Sequence, residues 1–188
     1  MSFYKNKKVL VTGGTGLIGR PLVKMLLEKD AIVTVVSLDD PSRCPKGASF
    51  KKADLREFDQ CNEVCSNQEI VFQLAGIKGS PKMSAERPAS FFVPLLMFNT
   101  NVLEASRLNR VPKLVYTSSI GAYSAAEIFI ESEEEDQGPP MDMYPGWAKR
   151  MAEMQIQAYR TQYGLKDYSI VRPCNVYGRS EERRVGKE

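Results

Sequence analysis

Apolar residues in this chain fall into two alternating patterns, short unbroken runs and longer stretches with a helical repeat. Lys8–Thr12 (KVLVT), Ile32–Ser37 (IVTVVS), residues 69–75 (EIVFQLA), 113–118 (KLVYTS) and 168–172 (YSIVR) are runs of the first kind. Runs that are apolar at odd and even positions alike predict strands covered on both faces. A further short strand is expected just before Ala53. Between the runs, Leu17, Leu22, Met25 and Leu26 recur at roughly helical spacing, and residues 57–65 suit a brief helix. Pro88–Leu108 reads as a long helix that Pro94 begins or kinks, and residues 148–163 as another. Strands alternating with helices imply a parallel sheet wrapped on both sides. With right-handed crossovers, the expected fold is the doubly wound α/β arrangement, the Rossmann fold.

The glycines sharpen this picture. TGGTGLIG places Gly13, Gly16 and Gly19 between the first strand and the first helix. Gly13 allows the tight turn, Gly16 lets a backbone approach a pyrophosphate, and Gly19 lets the helix pack on the sheet. The helix N-terminus then offers unpaired N–H groups and a positive dipole end to phosphates, with Leu17 and Ile18 part of the same candidate site. A dinucleotide also needs an acid after the second strand, which runs into VVSLDD. Asp39 as ribose acceptor favours NAD, whereas Ser37 with Arg43 nearby tolerates a 2′-phosphate and hence NADP; both stay open. Asp54 and Leu55, in the ADL triplet, are placed for the adenine edge.

Composition adds limits. A chain of 188 residues, 43% hydrophobic and 26% charged, suits one soluble domain. A net charge of +3 argues for neither nucleic acid nor a membrane surface as partner, and no apolar run approaches the ~20 residues of a membrane span. The basic N-terminus runs straight into the glycine loop, unlike a signal peptide. The four cysteines show no metal-ligand spacing, and there is no histidine. Cys61 and Cys65 read as one face of a short helix, and a reducing cytoplasm is the expected compartment. Residues 128–136 (IFIESEEED) read as a solvated acidic loop. After VRPCNVYG the patterning stops. The final string RSEERRVGKE, residues 179–188, looks like the translation of a common short-read sequencing adapter, so the natural domain is expected to be residues 1–178 of a longer chain.

In order along the chain, TGGTGLIG, ADL, LAG (Leu74, Ala75, Gly76), NVLEA, YTSSIGAY, a lysine helix and RPCNVYG resemble the extended short-chain dehydrogenase/reductases. More narrowly they resemble the NAD-dependent epimerase/dehydratase family, and LAGIKGSP with PASFFVPLLMFNTNVLEA is most similar to GDP-fucose synthases, the GDP-4-keto-6-deoxymannose epimerase/reductases. The resemblance implies NAD or NADP as cofactor, a nucleotide-sugar substrate, and a chain truncated before a small C-terminal substrate region. It also implies a homodimer option through a helix pair containing the lysine helix. Leu74, Ala75, Gly76 and Lys149 join the cofactor candidates on that basis. Catalysis in the family uses a serine, a tyrosine and a lysine, which map to Ser119, Tyr144 and Lys149. The tyrosine exchanges a proton with the sugar as hydride moves, the lysine lowers its pKa and binds ribose, and the serine holds the reacting oxygen.

One departure stands out. The family spacing is Tyr-x-x-x-Lys, but Pro145 sits four residues before Lys149 and Tyr144 five before it. Five residues on a regular helix turn two side chains ~140° apart. Pro145 suits the first helical position, which would make Tyr144 the flanking cap residue, free of that restriction. Two readings follow: Tyr144 works as acid/base, or the chain is a dinucleotide-binding module without redox chemistry. Gly121 stands where fucose synthases carry the epimerising cysteine, and their histidine would fall past Gly178. Trp147 is expected to pack on its helix.

Overall fold

The computed structural model describes residues 2–77, 79, 81–129 and 138–177. The adapter-like string 179–188 and residues 130–136 of the acidic stretch lie outside these. Six parallel strands form one sheet in the order β3-β2-β1-β4-β5-β6, the strand order of the dinucleotide-binding fold. They are β1 (Lys8–Thr12), β2 (Ile32–Ser37), β3 (Ser49–Lys52), β4 (Ile70–Gln73), β5 (Lys113–Thr117) and β6 (Tyr168–Val171). The helices are α1 (Gly19–Leu27), α2 (Phe58–Cys65), α3 (Pro81–Glu86), α4 (Pro88–Leu108) and α5 (Met143–Tyr163). No described helix is long and apolar enough to cross a membrane.

Strand side chains alternate between the two faces. In the central strands β1, β2 and β4 both alternations are largely apolar, whereas the edge strand β3 (SFKK) has no buried residue. Val9, Val11, Val33, Val35 and Ile70 meet Val23 and Leu26 of α1 on one face. Leu10, Val36, Val71, Leu114 and Tyr116 meet α2, α4 and α5 on the other. Each fully buried aliphatic side chain contributes about 1.5–3 kcal/mol. Cys61 and Cys65 do share one buried face of α2, and burial raises their thiols to about 12 and about 11.

A polar row crosses the sheet beneath its carboxyl edge. The Thr12 hydroxyl donates to Gln73 Oε1 at 2.5 Å and accepts from the Leu74 and Ala75 amides, each at 3.1 Å. Gln73 Nε2 donates to Asn99 Oδ1 at 3.3 Å, and Asn99 Nδ2 donates to the Tyr116 hydroxyl at 3.0 Å. All four residues are buried, so each link satisfies a group that would otherwise lose its hydration.

α4 covers the expected span, whereas the start of α5 differs from expectation. α4 runs unbroken through Pro94, which removes the bond its amide would make to Ser90 without ending the helix. α5 begins at Met143, five residues before its apolar repeat predicts. Pro145 is therefore its third residue, not its first, tolerated because the first four amides of a helix have no partner within it. What draws the chain into a helix early is docking. The Met141 and Asp142 amides donate to Tyr123 O (2.7 Å) and Gly121 O (3.0 Å). Arg150, buried, donates to Ala122 O at 2.5 Å, Gly138 O at 2.6 Å and Ser124 Oγ at 3.1 Å. It thereby ties residues 122–124 and Gly138 to α5.

Gly146 lets this contact close, since a Cβ there would lie 2.5 Å from Gly121 O and 2.6 Å from Pro140 Cβ. Gly146→Ala is expected to cost about 2 kcal/mol through overpacking, read as a Tm lowered by roughly 4–8 °C. An unchanged Tm would mean the helix start yields easily.

Candidate functional site

The carboxyl ends of the strands open into a cavity of about 1340 Å³. Gly13, Gly16, Leu17, Ile18, Gly19, Asp39, Asp54, Leu55, Leu74, Ala75, Gly76 and Ser119 all line it. These come from the β1–α1 turn and the ends of β2, β3, β4 and β5, where open α/β sheets gather ligands. Tyr144 and Lys149 are not among the lining residues.

The glycine turn is built to be approached. Gly13 has φ +65°, and a Cβ on it would come within 3.1 Å of the Leu74 and Ala75 backbone. A Cβ on Gly19 would collide with Gly13 O and lie 2.6 Å from Gly14 Cα, so the helix starts against bare backbone. At Gly16 a Cβ would meet only Gly13 O, at 3.2 Å. The remaining space beside Gly16 is open, a cradle that any side chain would fill. Leu17, Ile18 and Gly19 amides make no backbone hydrogen bond among the described residues. Arg20, Lys24, Arg43 and Arg56 also line the cavity against the two carboxylates of Asp39 and Asp54. The residues present therefore fit a dinucleotide: bare backbone, free amides and a cationic surplus for a pyrophosphate.

The two acids are differently engaged. Asp54 is gripped by its neighbour Arg56, whose Nε lies 2.9 Å from Oδ1 and 3.0 Å from Oδ2. That hydrogen bond, with others, holds the Asp54 carboxyl below the usual carboxylate range. Asp39 accepts from the Thr15 hydroxyl at 2.7 Å and lies 3.6 Å from Arg43 Nη1. Sequence reasoning passed over Thr15, Arg20, Lys24 and Arg56; isolated surface-type residues carry no periodic signal. Asn175 and Val176, inside the quoted RPCNVYG, also line the cavity.

Ser119 caps the 3₁₀ turn after β5, its Oγ accepting the Gly121 amide at 3.1 Å. That use of a lone pair leaves the hydroxyl proton available for an oxygen in the cavity. Lys149 stands one layer back. Its Nζ donates to Thr117 O at 2.7 Å and lies 5.1 Å from the Tyr116 ring centroid. Burial lowers its pKa to about 8, partly offset by the Glu153 carboxylate one turn along α5.

Tyr144 is the position where expectation and structure part. It lies within α5 rather than at its cap, is 45% exposed, and packs edge-on against Phe92 of α4 with ring centroids 6.0 Å apart. With both residues helical, the ~140° offset applies in full, and the structure does not bring Tyr144 onto the face of Lys149. Trp147 does pack on its own helix, under the Arg150 guanidinium at 5.4 Å.

Two charges, Glu153 buried and Arg172 partly so, support this side of the site without any sequence motif announcing them. Arg172 Nε and Nη2 reach Glu153 Oε1 and Oε2 at 2.9 and 2.6 Å. The same guanidinium lies over the Tyr123 ring, 4.4 Å from its centroid.

Comparison with known proteins gives a consistent result. The family model of the NAD dependent epimerase/dehydratase family matches residues 9–187. A UDP-glucose 4-epimerase of Mycolicibacterium smegmatis is 33% identical over 183 residues, covering 91% of this chain and 56% of that protein. A probable GDP-L-fucose synthase of Drosophila melanogaster is 30% identical over 177 residues, covering 92% of this chain and 52% of that protein. The solved UDP-glucose 4-epimerase of Thermus thermophilus, in complex with NAD, matches with a TM-score of 0.73 at 28% identity, covering 95% of this chain and 60% of that one. The chain thus spans about half the length of the relatives it matches.

Proposed function

Because the chain belongs to the NAD dependent epimerase/dehydratase family, we propose that it serves reversible hydride exchange on a nucleotide sugar, with NAD or NADP held in the cavity. The observation that carries this reading is the bare glycine cradle opening onto the same cavity as Ser119. When bound, the nicotinamide supplies the acceptor and donor of the hydride. Everything else falls to the chain. Gly13, Gly16 and Gly19 leave room for the pyrophosphate, the amides of Leu17 and Ile18 bind it, and Arg20 and Lys24 add charge. Leu74, Ala75 and Gly76 border the middle of the cofactor, and Asp54 with Leu55 its adenine. Ser119 holds the reacting sugar oxygen by a hydrogen bond from its hydroxyl, Lys149 supplies positive charge behind it, and Tyr144, once swung off Phe92 toward the cavity, exchanges the proton.

In its GDP-4-keto-6-deoxymannose form the proposal is limited to the reductase half. A Cβ at Gly121 would collide with Asp142 Oδ2 and lie 2.8 Å from the Asp142 Cβ, so an epimerising cysteine there would displace Asp142. A second reading, a dinucleotide-binding module without redox chemistry, is favoured by the seat of Tyr144 against Phe92.

The two separate in one experiment. The 188-residue chain and a form extended by the coding sequence downstream of Gly178 are loaded with NAD or NADP and offered UDP- and GDP-sugars. We expect the short chain, whose domain we assign to residues 1–178 with 179–188 as artefact, to bind cofactor weakly and turn over nothing. The extended form is expected to convert a nucleotide sugar, with Tyr144→Phe slowing it by about 10²-fold or more. Cofactor retention without turnover, unchanged by Tyr144→Phe, establishes the module instead. We further assign the protein to the reducing cytoplasm. A homodimer through α4 and α5 fits the exposed Met97, Trp147 and Met151 on those helices, checked by sedimentation.

A further inference from the structure

At the β2 end of the cavity the acid does not follow directly from the strand. β2 stops at Ser37, and Asp39 comes two residues later. What places its carboxylate is a side chain from the glycine turn. Thr15, 1% exposed, has its hydroxyl 2.7 Å from Asp39 Oδ2 and 2.9 Å from Ser37 Oγ. The Asp39 amide in turn donates to Ser37 Oγ at 3.1 Å. Proton supply fixes the direction of this ring. Thr15 has one hydroxyl proton, and a carboxylate is a stronger acceptor than a hydroxyl. Thr15 therefore donates to Asp39, and Ser37 supplies the proton of the Thr15–Ser37 contact. Asp39 is left as a charged acceptor with its position set from two sides.

Both side-chain partners of that carboxylate use one oxygen. Thr15 binds Oδ2, and Arg43 Nη1 lies 3.6 Å from the same atom. Oδ1 makes no hydrogen bond among the described residues, and it is the atom that would accept from a ribose hydroxyl. A 2′-phosphate, with about −1.5 to −2 charge near neutral pH, would instead meet a fixed anion. Arg43 offsets that only weakly, because its side chain is 45% exposed and exposed pairs are screened.

We propose that Thr15 is a positioning residue for cofactor choice, holding Asp39 so that the cavity takes NAD and rejects its 2′-phosphorylated form. The inference rests on the dinucleotide reading of the cavity given above.

The test is fluorescence titration of the 188-residue chain with NADH and with NADPH, repeated on Thr15→Val, Thr15→Ser and Asp39→Asn. The wild-type chain is expected to bind NADH roughly tenfold or more tightly than NADPH. Thr15→Val should shrink that ratio by about fivefold, chiefly by weakening NADH, and Thr15→Ser should restore it. Asp39→Asn should bring the ratio near one by improving NADPH. A purely structural role for Thr15 would weaken both cofactors equally and leave the ratio unmoved, which would overturn the proposal. Equal or tighter NADPH binding by the wild-type chain would overturn it as well, with the cavity reading intact. Binding of neither cofactor would overturn the cavity reading itself and this assignment with it. Should Thr15→Val not fold, Thr15→Ala, which removes the same hydroxyl, is read by the same ratio and decides in its place.

Discussion

Lys149→Met is expected to stop turnover in the extended protein while making the chain harder to unfold at neutral pH. The two effects share one cause. Lys149 is half-buried, and desolvation lowers its pKa from 10.5 to about 8. Below pH 8 the ammonium is charged in both folded and unfolded chains, so the folded state bears the whole desolvation cost. Between pH 8 and 10.5 the unfolded chain holds the proton and the folded one does not, so stability from this group rises with pH. Above 10.5 nothing further changes. A lowering of this size corresponds to about 3 kcal/mol by itself, and to something on the order of 2–3 kcal/mol once the water still reaching a half-buried ammonium is allowed for.

Methionine fills similar volume without charge but gives up the bond to Thr117 O, worth about 1 kcal/mol. The net expectation is a gain of about 1–2 kcal/mol at pH 7, a Tm higher by roughly 2–8 °C. Thermal melts at pH 7 and pH 9.5 check it, since the gap between variant and wild type must narrow at the higher pH. A wild type more stable than the variant at pH 7 would show that the Tyr116 ring and Thr117 carbonyl more than offset the burial of the charge.

The second large effect is loss of stability in Glu153→Ala. Glu153 is 8% exposed and receives a two-pronged contact from Arg172. Removing one partner of such a pair leaves the other charge in a poorly hydrated place, which typically costs about 3–5 kcal/mol. The expected Tm loss is roughly 6–20 °C. The double substitution Glu153→Met with Arg172→Leu is expected to recover most of it, because an apolar pair needs no charge compensation. Equal losses in the single and double variants would mean that the contact fixes α5 to β6 by shape rather than by charge. Because Arg172 also covers Tyr123, the single variant should loosen the segment that follows Ser119.

How much of this was legible beforehand varies with the element. β1, β2 and the other core strands declared themselves because both of their faces are buried, which writes unbroken apolar runs. The glycine turn was legible because each of its glycines answers a steric demand that no other residue meets. The start of α5 was not: residues 143–147, MYPGW, hold a proline and a glycine, and local preference argues against a helix there. Contacts with 121–124 and 138–140 outweighed it. Thr15 gave no signal, since a threonine in a glycine turn looks the same whether it meets solvent or Asp39, 24 residues away.

The sequence by itself determined the parallel sheet and the place of the glycine turn, because these rest on local pattern and local sterics; Ser119 and Lys149 became candidates through the family resemblance of the motifs around them. Only the tertiary structure decided where the side chains near α5 point. Helical phase fixes Tyr144 and Lys149 on different faces once docking sets the first turn at Met143, and packing then seats one on Phe92 and the other on Thr117. The placement of Asp39 is likewise tertiary, because its hydrogen-bond partner comes from another element and exists only when β1 and β2 lie side by side.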